Sequence, residues 1–370
     1  MELSKVLTPV CNDAVSEALK HKLHWKSLLV ELSVQNSFMN CSEHSTTHPF
    51  ETLLPERVLE AAESLGLMTD GRLLALNSYE NRVWQIGLDD QPPVIGKFYR
   101  PGRWTTDALM EEHAFTGELT ASGLSVVAPL EFNGSSLHEH ADFQFALFPR
   151  QGGHAPEPAN EDVLRSLGRA LGRMHAVGQT SDFHSRASIT PETHALEPAE
   201  WLLEERWLPA HLESAFESLS RDLMQHIQSC WQRAGSFQTI RLHGDCHPGN
   251  ILWRDQPHFV DLDDCRTGPA VQDLWMLISG EAHEREQQWQ WLLDEYAMFC
   301  DFNAAELNLV EALRAMRMLH YQAWLARRWD DPAFPKAFPW FEDDRHWEQV
   351  IQQLREQLSE LQEPPVTWHR

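Results

Sequence analysis

The residues best equipped for chemistry lie in one stretch, His243-Gly244-Asp245-Cys246-His247-Pro248-Gly249-Asn250, followed by Phe259-Val260-Asp261-Leu262-Asp263-Asp264. The grouping suits phosphoryl transfer. An attacking hydroxyl must be oriented and its proton accepted, and a carboxylate such as Asp245 can do both. Triphosphate charge calls for Mg²⁺, a hard ion that prefers oxygen ligands. The amide oxygen of Asn250 and the carboxylate of Asp261 are the candidate ligands. A Pro248-Gly249 turn lets the loop fold back so that Asp245 and Asn250 face one pocket. His243 reads as a loop-bracing residue rather than a metal ligand. Asp263 either touches a second ion or, with Asp264, occupies a solvated turn.

The elements that must position these residues change character along the chain. Val58, Leu59, Ala62 and Leu65 follow helical spacing, and Gly66 ends the run. Short runs rich in β-branched and aromatic residues then predict strands at 72–76, 82–88 and 93–99, with a turn at Asp89-Asp90-Gln91-Pro92. A helix is predicted over 105–121 and strands over 125–132 and 143–148. The pattern breaks at Pro149-Arg150-Gln151-Gly152-Gly153-His154, a candidate hinge. Beyond it helices are predicted at 161–177, 198–233, 271–299, 304–329 and 342–361, interrupted by one β-rich island at 239–262. The expected organisation is a 1–48 extension, a 49–149 lobe built on an antiparallel sheet with one main helix, and a larger, mostly helical 150–370 lobe. The fold class is therefore α+β and bilobal.

Composition narrows the function. A chain of 370 residues suits two lobes, and 42% apolar residues can build their cores. A formal net charge of −25 argues against nucleic acid and anionic membrane as partners. No apolar run approaches a membrane span, and Met1–Asn40 does not read as a signal peptide. The six cysteines form no C-x-x-C pair, which fits a reduced, cytoplasmic protein. Residues 1–48 differ from the rest. Either Asn12–Val34 is a partly helical extension, or translation begins at Met39; we expect the second.

The pattern H-G-D-x-H-x-x-N, followed about ten residues later by D-x-D, resembles the catalytic and metal loops of the protein-kinase-like fold. The form is that of its aminoglycoside phosphotransferase and choline kinase branch. Gly244 stands where protein kinases carry Arg, and Asp261-Leu262-Asp263 replaces Asp-Phe-Gly, so control by a phosphorylated loop through that Arg is not expected. Further segments are similar to the bacterial stress response kinases: Asn77-Ser78-Tyr79-Glu80-Asn81-Arg82-Val83, Lys97-Phe98-Tyr99-Arg100-Pro101, Gly268-Pro269-Ala270-Val271-Gln272-Asp273-Leu274-Trp275, and 327–336. The likeness spans about residues 39–365.

The resemblance implies a monomeric, cytoplasmic, ATP- and Mg²⁺-dependent kinase acting on Ser and Thr of proteins under stress. It makes Asp245 the catalytic base. It makes Lys97 the strand lysine that reaches the α- and β-phosphates and pairs with a helix glutamate. Helix phase prefers Glu112 to Glu111, because Phe115 and Leu119 share its face. It assigns Ser78 to ATP, although Asn77–Asn81 could be an ordinary polar turn. Asp273 is expected to brace the catalytic loop. Cys246 and Cys265 read as small buried hydrophobes, with redox control through Cys246 as the alternative. The aromatic run Trp324, Trp329, Phe334, Phe338, Trp340, Phe341 and Trp347 reads as an extended packing strap, the alternative being a quaternary ammonium cage. Acidic residues at 204–205 and 342–344 suit a cationic acceptor or a basic peptide. Two other functions remain open: a small-molecule hydroxyl kinase (amino sugar, choline or homoserine type), and a nucleotide-binding pseudokinase.

Overall fold

The computed structural model describes residues 48–157 and 159–369. The 1–48 extension and Met39 thus lie outside the described residues, His48 excepted. The described residues pack as one unit, with an antiparallel sheet on one side and helices on the other. The α+β expectation is met.

The sheet contains β1 (Thr69–Leu76), β2 (Arg82–Leu88), β3 (Gln91–Phe98), β4 (His138–His140) and β5 (Phe143–Pro149), in the order β1-β2-β3-β5-β4. Side chains alternate across it with period two. Val94 and Phe98 of β3, with Phe143, Phe145 and Leu147 of β5, pack beneath Val58, Ala61 and Ala62 of α1 (Pro55–Ser64). The opposite face carries Tyr99 and Ala146, which meet Leu109 of α2 (Thr106–Ala121). Lys97 lies between Gly96 and Phe98, so the same alternation aims it at α2. Thr105 caps that helix by accepting from the Ala108 N–H at 3.2 Å.

The predicted strand over 125–132 does not form. It makes only a parallel bridge from Val126 to Phe259 and an antiparallel one from Phe132 to Ser135. Its backbone instead serves two partners, Val127 N–H donating to Phe259 and Leu130 N–H to Leu147. The fifth strand is the short β4 that follows it. The hinge segment is tied down as well, because His154 and Trp253 exchange both backbone hydrogen bonds.

The helical side begins with α3 (Glu161–Gly178), capped by the Asn160 side chain. A π-helical turn (Glu192–Leu196), α4 (Glu197–Glu204) and α5 (Ala210–Ala234) follow. The single helix expected over 198–233 is broken there because Arg206 adopts φ 57° and Pro209 cannot continue the ladder. The β island is longer than expected: β6 (Thr239–Leu242) pairs with β9 (Arg266–Pro269), and β7 (Ile251–Arg254) with β8 (Gln256–Phe259). Residues 270–277 form 3₁₀ turns, and Gly280 at φ 94° separates them from α6 (Ala282–Tyr296). The chain ends in α7 (Val310–Ala326), α8 (Ala333–Ala337) and α9 (Asp344–Glu360). The expected extended strap is thus partly helical.

Leu164, Leu167, Leu171 and Met174 form the buried stripe of α3. Each such side chain contributes roughly 1.5–3 kcal/mol when fully buried. The helix lies so close to α6 that a Cβ on Gly168 or Gly172 would come 2.3 Å from the Leu292 carbonyl or 2.5 Å from that of Tyr296. Backbone cannot yield there as a flexible side chain could. Gly172→Ala should therefore lower stability by about 1–3 kcal/mol in urea unfolding; an unchanged midpoint would show that the two helices can separate without loss.

Candidate active site

The loop that carries Asp245 and Asn250 joins β6 to β7. Gly244 adopts φ 82°, and a Cβ there would sit 2.0 Å from the Asp264 carbonyl oxygen. Arginine cannot replace it: the loop and the Asp261–Asp264 segment touch backbone to backbone at this point. Asp273, fully buried, accepts from the N–H groups of His243 (2.7 Å) and Gly244 (2.9 Å). The expectation that it braces the loop holds geometrically. His175 of α3 stands 3.1 Å away on its Nε2 side, and its Nδ1 lies 2.8 Å from the Tyr296 hydroxyl. The carboxylate fixes the ring proton on Nε2, so Nδ1 accepts from the tyrosine.

Asp245 and Asn250 meet as the sequence suggests. The Asn250 amide nitrogen donates to the Asp245 carbonyl at 3.0 Å and to its Oδ2 at 3.3 Å. That commitment leaves the amide oxygen available to a cation. Val260 N–H donates to the Asn250 carbonyl at the base of the β7–β8 hairpin, which brings Asp261 to the same end. Asp261 is half exposed and holds φ 64°, a left-handed backbone that aspartate tolerates better than most residues. Two oxygen donors suit Mg²⁺, which keeps several waters and takes phosphate oxygens for the rest. Among the described residues no group of three or more His, Cys, Asp or Glu could hold a metal. His243 Nε2 instead faces the Val260 carbonyl at 3.1 Å, and His247 accepts from the Gly249 N–H.

Across from this loop, Lys97 Nζ lies 3.1 Å from Asp261, 3.1 Å from Asp263 and 3.6 Å from Glu112. Burial works against its charge, but these carboxylates outweigh it and raise the ammonium well above the usual lysine range. Glu112 is thus the helix partner. Glu111 faces elsewhere and accepts from the N–H groups of His184 and Ser185. Asp263 is no solvated turn residue. It is buried between Lys97 and Arg103, and although burial pushes its carboxyl up, those two cations hold it well below the carboxylate range.

Ser78 stays outside this cluster, half-buried in the β1–β2 turn. The turn itself is held firmly. Arg82 and Arg100 donate to the Tyr79 carbonyl, while the Glu80 carboxylate receives Trp324 at 2.6 Å and Arg328 at 3.0 Å. Asp331 pairs with both Arg82 (2.8 Å) and Arg100 (2.7 Å). The aromatic run packs on itself, with Trp324–Phe334 centroids 5.1 Å apart and Trp329–Phe341 5.0 Å, rather than opening a cage. Cys246 and Cys265 are buried, and burial raises both thiols far above the range in which a thiolate forms at neutral pH.

The sequence reading missed Arg317. Its Nη1 donates to Asp245 Oδ1 at 2.6 Å from α7. It missed Arg103 and Arg186 too, because nothing local marks a residue whose partners lie far along the chain.

The fold is kinase-like, and the class of protein is a phosphotransferase. Residues 72–307 match the Phosphotransferase enzyme family, and the chain belongs to it. It is 44% identical over 323 residues to stress response kinase A of Escherichia coli K12, covering 87% of this chain and 98% of that one. It is 44% identical over 317 residues to serine/threonine protein kinase RdoA of Salmonella typhimurium LT2, covering 86% and 96%. Among solved structures, amicoumacin kinase in complex with AMP-PNP, Ca²⁺ and its ligand matches with a TM-score of 0.64 at 17% identity, over 84% of this chain and 94% of that one.

Two outcomes follow from the loop braces. Gly244→Ala should fold poorly or lose most phosphoryl transfer, since loop and metal segment cannot both keep their positions; wild-type turnover would show that the Asp264 carbonyl gives way. Glu306, whose carboxylate accepts from the Val271 N–H at 3.1 Å, is pushed up to about 7 by burial. Its pKa is raised on folding, so the stability it confers is full below about pH 4.5 and is lost as pH rises through about 7. Glu306→Gln should flatten the fall of melting temperature between pH 5 and 8, and an equally steep fall in the variant would exclude Glu306 as the cause.

Proposed function

We propose that this chain transfers the γ-phosphate of ATP to serine and threonine hydroxyls of proteins, as a cytoplasmic monomer in a stress response. The observation that carries the reading is the convergence of Asp245, Asn250 and Asp261 on one side and the Lys97–Glu112 pair on the other. Asp245 orients the acceptor hydroxyl and takes its proton as the new O–P bond forms. The bond from the γ-phosphorus to its bridging oxygen breaks in the same transfer, and its electron pair leaves with ADP. Lys97 holds the α- and β-phosphates while Glu112 orients it. Ser78 and the backbone N–H groups of its turn would contact the phosphates. Asn250 and Asp261 would hold Mg²⁺, which supplies charge neutralisation for the phosphates when bound.

Protein acceptors are favoured over amino sugars or choline by Arg317. A guanidinium 2.6 Å from Asp245 balances that carboxylate's charge, so a cationic acceptor gains no net attraction at the point where its hydroxyl must arrive. The name of the Salmonella relative points the same way. Among the described residues no helix is long and apolar enough to cross a membrane, and the net charge of −25 disfavours nucleic acid and anionic lipid.

The test incubates the protein with Mg²⁺, γ-labelled ATP, mixed protein acceptors and a small-molecule panel. Wild type should label protein Ser or Thr. Asp245→Asn should fold and bind nucleotide but transfer about 10²–10⁴-fold more slowly. Unchanged turnover in that variant sinks the assignment of the base. Label confined to small molecules sinks the protein acceptor, and nucleotide binding without transfer would make the chain a pseudokinase.

A further inference from the structure

Arg186 has no place in the chemistry described so far, yet its guanidinium makes four hydrogen bonds beside it. It lies in the segment between α3 and the π-helical turn, and its side chain is wholly inaccessible to solvent. Its Nε donates to the Ala108 carbonyl of α2 at 2.8 Å. One terminal nitrogen donates to the carbonyls of Asp263 (2.9 Å) and Cys265 (3.0 Å). The other donates to Glu112 Oε2 at 2.9 Å. The guanidinium carbon lies over the Trp104 ring, 4.4 Å from its centre.

A fixed fork of donors is needed to meet these four acceptors at once. The three rotatable donors of lysine cannot reach them. The acceptors belong to two different parts of the site: the helix that carries Glu112, and the segment that carries Asp261 and Asp263. Glu112 has two oxygens, and they are divided. Oε1 faces Lys97 at 3.6 Å and Oε2 is taken by Arg186. The glutamate can therefore orient the lysine only in the rotamer that Arg186 selects. The arginine is itself tethered, since Glu111 accepts from the neighbouring N–H groups of His184 and Ser185, and Ile189 N–H donates to the Thr267 carbonyl of β9.

We propose that Arg186 is a positioning residue for the nucleotide site. It locks Glu112 against Lys97 and at the same time fixes the Asp261–Asp263 segment, so that the phosphate-binding and metal-binding halves keep one register. The proposal rests on the kinase reading but concerns binding geometry, which can be read without turnover.

The experiment measures affinity for a non-hydrolysable ATP analogue with Mg²⁺ by calorimetry, and KM for ATP and kcat by label transfer. Wild type, Arg186→Lys, Glu112→Gln, the double variant and Glu111→Gln are compared. Arg186→Lys should weaken analogue affinity about tenfold or more, raise KM for ATP in parallel and raise the Mg²⁺ concentration needed for half-maximal binding. Glu111→Gln, which removes the charge that anchors the same chain segment without touching Lys97 or the metal segment, should leave these within about twofold. In the double variant the loss should be less than the product of the two single losses, because both act through one contact. If Arg186→Lys loses its native circular dichroism, Arg186→Gln is measured with the same expectation. Equal effects of Arg186→Lys and Glu111→Gln, or losses that multiply in the double variant, would overturn the proposal. Wild type that binds the analogue but transfers no phosphate would defeat the kinase reading and leave the binding comparison intact.

Discussion

A lysine ammonium withdrawn from water needs carboxylates around it, and much of this structure is arranged to bring them to Lys97. The strand alone supplies none. Glu112 comes from α2, and Asp261 and Asp263 come from the segment after β8. The added carboxylates then need cations of their own, which Arg103 and Arg186 provide. Removing one member of such a buried set leaves its partner uncompensated, at a cost of about 3–5 kcal/mol. The network therefore acts as a register pin between sheet and helices. It places the residues that would meet phosphate on one side and those that would meet a cation on the other.

The loop that carries Asp245 depends on a second support, equally buried and almost free of charge–charge contact. Asp273 takes the two N–H groups preceding Asp245, His175 holds Asp273, and Tyr296 holds His175. This chain ends on α6, the helix that α3 approaches through Gly168 and Gly172. Glycine in the packing interface and carboxylate at the loop are thus parts of one device: without the close approach, Tyr296 would not reach His175.

How much of this could be read in the sequence depended on distance along the chain. Asp245 and Asn250 were legible because both lie in one loop and their spacing is itself the signal. Lys97 was legible from the family resemblance, and Glu112 from helix phase over its neighbours. The long-range partners carried no local mark. Arg186 meets Glu112 across 74 residues, Arg317 meets Asp245 across 72, and His175 meets Asp273 across 98. The misread elements failed for local reasons. The stretch 125–132 has strand composition, but its hydrogen bonds go to two different neighbours. The long helices expected at 198–233 and 271–299 are interrupted by backbone conformations at Arg206 and Gly280 that hydrophobic periodicity does not reveal.

The part of the chain beyond the matched family region works on the site directly. Residues after 307 supply Arg317 to Asp245, Trp324 and Arg328 to Glu80, and Asp331 to Arg82 and Arg100. Three of these side chains hold the β1–β2 turn that carries Ser78, where no run of glycines lets bare backbone settle over phosphate. A turn with side chains is stiffer than a glycine loop but must be aimed, and the C-terminal helices aim it. Their aromatic packing, centred on the buried Phe334, Phe341 and Trp347, gives that grip a rigid base. The same helices set the charge beside Asp245 through Arg317, so in this chain one segment steadies both the β1–β2 turn and the loop that carries Asp245.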